Sequence, residues 1–71
     1  MAITLKAARI NKGYDQIYAA KLIGVGADTL SDYERGITYP DVPTLKKIEE
    51  VYGIKYDDID FLLKNYENIV K

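Results

Sequence analysis

Residues 16–36, QIYAAKLIGVGADTLSDYERG, constrain the fold of this chain more than any other stretch. They read as two short helices joined by a tight turn. The first opens after Asp15, whose carboxylate can accept a hydrogen bond from the free amides of a helical first turn. It runs through Gln16–Ile23 and places Ala19, Ala20 and Ile23 on one face. Gly24 stands where the chain must take a positive φ, which glycine does without a Cβ clash. Val25 plugs the corner, and a second helix runs from about Ala27 to Arg35, with Leu30 and Tyr33 three apart on a shared face. Gly36 closes it. The small Ala20 is informative, because two helices meeting steeply across a short turn leave little room there. The spacing describes a helix-turn-helix and specifies no ligand.

The flanking sequence supplies further helices. Thr4 is a candidate N-cap for a helix over Leu5–Lys12 that ends at Gly13, with Leu5 and Ala8 inward and Lys6 and Lys12 in solvent. Tyr14 follows as an apolar anchor. Ile37-Thr38-Tyr39-Pro40 is a loop, since proline disfavours helix in the residue before it. Asp41 caps a fourth helix in which Pro43 falls within the first turn, where its missing N–H costs nothing. Leu45, Ile48, Val51 and Tyr52 recur at helical spacing before Gly53. Tyr56–Leu63 then predicts a fifth helix, its early aspartates placed at the positive end of the helix dipole and Ile59, Leu62 and Leu63 facing inward. For residues 64–71 an extended helix, a strand and a frayed end all stay open. The expected fold is all-α: a compact five-helix bundle over residues 1–63 with a C-terminal tail, 64–71.

Composition narrows the function. With 71 residues, 48% hydrophobic and 30% charged, the chain suits one small globular domain. It holds no cysteine, which excludes disulfides and thiolate metal sites, and no histidine. Ser31 therefore lacks a histidine to activate it as a nucleophile, and no glycine-rich phosphate loop is present. The acidic run Asp57-Asp58-Asp60 lacks the glycine and terminal glutamate of a calcium loop, so helix capping is its better account. Neither an enzyme nor a cofactor or metal site is expected. No apolar run approaches the roughly 20 residues of a membrane span, and the amino terminus lacks a signal peptide's apolar core, so a cytoplasmic location is expected. Ten basic and eleven acidic residues give a net charge of −1 and a pI near 5.2. Residues 1–15 carry a net +2, and 16–36, 37–54 and 55–71 each carry −1. Any basic surface is assembled from scattered residues.

Set in register, Leu5-Lys6-Ala7-Ala8-Arg9, Gly13-Tyr14-Asp15-Gln16, Ala19-Ala20, Ile23-Gly24-Val25, Thr29-Leu30-Ser31, Tyr33-Glu34-Arg35-Gly36, Pro40, Thr44-Leu45 and Tyr52-Gly53-Ile54 carry a recognisable pattern. From Leu5 to Leu62 the chain resembles the DNA-binding domains of phage lambda-type repressors, the xenobiotic-response-element helix-turn-helix family. The resemblance implies a transcriptional regulator that binds double-stranded DNA with its third helix in the major groove. It assigns Gln16 to a backbone phosphate and Gly26, Ala27, Asp28, Ser31, Asp32 and Arg35 to base edges. Asp32 could accept from cytosine N4. Thr38 and Tyr39 in the following loop complete the expected set, Tyr39 by donating to a phosphate. Arg9 is expected to pair with Glu34; a surface pair contributes only about 0–1 kcal/mol, so its expected role is to orient helices. The implied operator is pseudo-palindromic, with half-sites about 10 bp apart. It would be bound by a homodimer, paired through the fifth helix and tail or only on DNA.

The chain departs from the family's habits where DNA would be touched. Gly26-Ala27-Asp28 replaces the usual polar or basic start of the third helix, the loop 37–39 is uncharged, and Asp28 and Asp32 bring negative charge toward phosphates. Ile17, Leu22 and Ile37 occupy positions that are usually polar. Of the seven tyrosines, Tyr14, Tyr33 and Tyr52 are expected in the core and Tyr18, Tyr39, Tyr56 and Tyr66 partly exposed. These departures sustain a second reading, a helix-turn-helix scaffold serving as a protein–protein interaction module, such as an antirepressor or accessory subunit.

Overall fold

Side-chain caps set the starts of three of the four α-helices. The computed structural model describes residues 2–62. Thr4 Oγ1 accepts from the Ala7 amide (3.0 Å) to open α1 (Leu5–Asn11). Asp15 accepts from Tyr18 (2.7 Å) to open α2 (Gln16–Ile23), and Asp41 from Thr44 (3.0 Å) to open α4 (Val42–Tyr52). Between them, α3 (Ala27–Glu34) starts at Gly26, which has no side chain to offer. The caps at Thr4, Asp15 and Asp41 fall where the sequence places them. Lys12 and Arg35 are C-caps, each one residue beyond the helix that was expected to include it.

The helices close over Leu5, Ala8, Ala19, Ala20, Ile23, Leu30, Tyr33, Ile48 and Tyr52. Leu45, Val51, Val25 and Tyr14 are half-buried at its edge. Leu5, Leu30 and Ile48 are sealed from solvent, and burying a side chain of that size contributes about 1.5–3 kcal/mol.

The fifth helix does not form. Tyr56–Asp58 makes one 3-10 turn, and the chain then extends as β2 (Ile59–Asp60), pairing in parallel with β1 (Ile3–Thr4). Ile3 lies opposite Ile59 and Thr4 opposite Asp60. A parallel pair needs a long crossover, which here is the whole helical bundle. Ile59 and Phe61 alternate inward while Asp60 and Leu62 face solvent. Leu62, expected inside, is 41% exposed and takes a left-handed φ of 56°. The physical reason is competition: Ile59, Leu62 and Leu63 fit a helical stripe, but Ile59 and Phe61 fit a strand period. The free edge of Ile3–Thr4 rewards the second. The aspartates therefore do not serve a helix dipole as expected; Asp60 Oδ1 instead accepts from the Leu62 amide (2.9 Å). Leu63 and the tail 64–71 lie outside the described residues.

Candidate nucleic-acid interface

The turn between α2 and α3 is built as its residues require. Gly24 adopts φ 93° and ψ 28°, and both its amide (2.8 Å) and that of Val25 (3.0 Å) donate to the Ala20 carbonyl. Ala20 is 2% exposed, so a larger side chain there would force the helices apart. At the far end of α3, Gly36 has φ 73° and lies against the Leu62 carbonyl; a Cβ at Gly36 would overlap that oxygen. Gly36 is thus required twice, by conformation and by space.

A buried polar cluster orients α3. Arg9 Nε donates to Glu34 Oε2 (2.7 Å) and Arg9 Nη2 to Glu34 Oε1 (3.2 Å). Arg9 Nη1 donates to the Tyr14 carbonyl (3.0 Å), and Gln16 Nε2 to Glu34 Oε1 (3.1 Å). One guanidinium therefore ties α1, the turn after it and the end of α3 together, and Gln16 joins α2 to the same carboxylate. The expected pair is present, but it is buried rather than on the surface. Its bidentate geometry is the strong form of such a contact. Hydrogen bonding to Glu34 is the main reason the Arg9 guanidinium sits above its ordinary pKa, against the opposing effect of burial. Tyr52 is also buried; desolvation first, and then the Glu34 charge, push its phenol up to about 12. Its hydroxyl has no hydrogen-bond partner among the described residues.

With Leu30, Tyr33 and Glu34 turned inward, the opposite face of α3 is open. Asp28 and Arg35 are exposed there and Ser31 and Asp32 half-exposed, while Ala27, expected among the contact residues, is half-buried against the core at the edge of this face. The spacing from Ala27 and Asp28 through Ser31 and Asp32 to Arg35 is that of one helical face. Arg35 Nη2 donates to Asp32 Oδ1 (2.9 Å), so one of the two carboxylates on this face carries its own cation. This pairing was not anticipated, although opposite charges three residues apart on a helix are a readable signal. Gln16 is half-buried at the start of α2. One of its two amide hydrogens is committed to Glu34, which leaves the other. Gly26 and Thr38 are exposed, and Tyr39 is 47% exposed with its ring edge-on to Phe61 (centroids 4.9 Å apart, 72°). The nine expected contact residues thus divide into an α3 face with Gln16 beside its buried anchor, and a loop whose tyrosine is partly spent on packing.

Among the described residues no group of three or more acidic side chains is placed to hold a metal ion. No helix among them is long and apolar enough to cross a membrane.

Two stacked helices held at a fixed angle, with one face of the second left open, define a helix-turn-helix domain. A family model described as helix-turn-helix matches residues 5–59, and the chain belongs to that lambda-repressor-like family. It is similar to the HTH-type transcriptional regulator ImmR of Bacillus subtilis (strain 168), with 42% identity over 53 residues, covering 75% of this chain and 42% of that protein. It is also similar to the SPbeta prophage-derived uncharacterized HTH-type transcriptional regulator YonR of the same strain. There the identity is 38% over 60 residues, covering 84% of this chain and 53% of the relative. The chain spans about half the length of these curated relatives. No solved structure gives a significant match.

Proposed function

We propose that this chain is the DNA-binding part of a sequence-specific transcriptional regulator, docking α3 in the major groove of double-stranded DNA. The observation that carries the reading is the division of α3 into two faces. Leu30, Tyr33 and Glu34 lock one into the domain, and Asp28, Ser31, Asp32 and Arg35 stand on the other, exposed or half-exposed. A helix fixed on one side and polar on the other can present hydrogen-bonding groups to base edges. The names of the two relatives, both transcriptional regulators, support the same reading and do not favour the protein-interaction module.

Gln16 places its remaining amide hydrogen toward a phosphate at the start of α2, and Thr38 and Tyr39 flank the other end of α3. Gly26 and Ala27 carry little bulk, which lets the start of α3 approach the duplex closely. A regulator of this kind binds a pseudo-palindromic operator as a dimer, with half-sites about 10 bp apart. The segment expected to pair the subunits as a fifth helix is not helical, so a dimer must use another surface or the tail. The net charge of −1 limits phosphate contacts. Each contact steepens the dependence of log affinity on log salt by roughly 0.9, so a shallow slope and modest affinity are expected.

Binding-site selection from random duplex DNA, with the winner titrated at two salt concentrations, tests the reading. An inverted repeat preferred about 10³-fold over random duplex supports it. A well-folded protein that enriches nothing contradicts it. Ser31→Ala and Gln16→Ala should each weaken operator binding, the second with a folding control because Gln16 also bonds Glu34.

A further inference from the structure

Resting on the regulator reading above, we infer that Asp32 and Arg35 act as one unit that selects a G·C base pair in each half-site. Arg35 donates to guanine and Asp32 accepts from the cytosine paired with it. The two side chains already form a bonded row on the open face of α3: Arg35 Nη2 lies 2.9 Å from Asp32 Oδ1, and both remain solvent-accessible. A guanidinium has five N–H donors, so Arg35 keeps four after bonding Asp32. Asp32 Oδ2 accepts no hydrogen bond among the described residues. Free donors of Arg35 thus stand beside a free acceptor of Asp32, and laid along a base-pair edge they would run donor, donor, acceptor.

The major-groove edge of a G·C pair reads guanine N7 acceptor, guanine O6 acceptor, cytosine N4 donor. The two rows are complementary at every position. An A·T pair reads acceptor, donor, acceptor, followed by the thymine methyl, and it opposes the unit at two of three positions. The arrangement also answers the electrostatic objection to an acidic recognition helix. Asp32 reaches the groove with its own cation attached, so the unit adds no net charge. Asp28, which forms no ion pair among the described residues, remains the single uncompensated carboxylate of this face.

The test is binding-site selection by the 71-residue chain and its variants, with thermal unfolding as the folding control. The unsubstituted protein should select one invariant G·C pair per half-site. Asp32→Ala and Arg35→Ala should each relax that same base pair, by roughly 10- to 100-fold in preference, the range for one bidentate base contact. The double variant should lose little more than either single one. Exchanging the charges, Asp32→Arg with Arg35→Asp, keeps a surface ion pair while reversing the row, and should abolish the G·C preference. An operator whose selected positions are untouched by these substitutions, or are relaxed at two unrelated base pairs, overturns the unit while leaving the regulator reading intact. Retention of the preference after the charge exchange also overturns it. No enrichment by the unsubstituted protein is a separate result, which brings down the regulator reading and the unit together.

Discussion

Two ion pairs take their carboxylates from α3, at Asp32 and Glu34, and they have opposite characters. Glu34 holds Arg9 with side chains only 5% and 10% exposed, through two parallel hydrogen bonds, with Gln16 and the Tyr14 carbonyl completing the set. Asp32 holds Arg35 with side chains 37% and 61% exposed, through one hydrogen bond. The first joins residues 25 apart in sequence; the second joins residues three apart on one helix. Desolvation makes the difference. A charge taken out of water is tolerated only while its partners are in place, so the buried pair is an obligate part of the fold. A solvated pair contributes little to stability and is free to exchange its partners for those of a ligand.

The largest effect should come from breaking the buried pair. Glu34→Ala leaves the Arg9 guanidinium uncompensated inside the domain and should cost about 3–5 kcal/mol, read from the denaturant midpoint. For a domain of this size that is much of the total stability. A cost below about 1 kcal/mol would mean that the two pairs are equivalent after all.

Gly36→Ala tests whether α3 is also anchored at its C-terminal end. The left-handed backbone and the overlap with the Leu62 carbonyl should together cost about 1–3 kcal/mol. The loss should exceed that of an alanine placed at exposed Gly26, where nothing lies within contact distance.

Tyr52 sharpens the account of the buried cluster. Its hydroxyl is desolvated without a partner, so Tyr52→Phe should leave stability unchanged or raise it by up to about 1 kcal/mol. The folded state also holds the phenolic proton more tightly than the unfolded chain does. Stability should therefore fall as pH rises from the ordinary phenol value of 10.0 through about 12, and the Tyr52→Phe variant should lose less over that window.

The smallest effect belongs to the exposed pair. Asp32→Ala and Arg35→Ala should each move the unfolding free energy by no more than about 0.5 kcal/mol. Their consequence should appear in DNA selection alone, which is the behaviour that separates the two pairs.

The helix-turn-helix was legible because its signals are local. Asp15, Gly24 and Gly36 mark boundaries by capping and φ, and Ala19, Ala20 and Leu30 mark packing by their spacing. The last described stretch was not legible for the opposite reason. Ile59 and Phe61 extend because Ile3 and Thr4 wait at the other end of the chain, and no window around residue 59 contains that partner. The exposure of the candidate site was legible in part. The open face of α3 follows from helical periodicity, but the burial of Arg9 and Glu34, and the share Gln16 takes in it, depend on how three helices meet. The Asp32–Arg35 spacing was visible in the sequence; the bond between the two side chains was not read from it.

The central claim is that α3 is held by one face and reads DNA with the other. Amide chemical shifts followed while the selected duplex is titrated in address it most directly. The account predicts that the perturbed amides cluster at the start of α2, around Gln16, and along α3 from Gly26 to Arg35, with α1 and the C-terminal half of α4 little changed. Perturbations centred on α1 or the end of α4, with α3 silent, would contradict it.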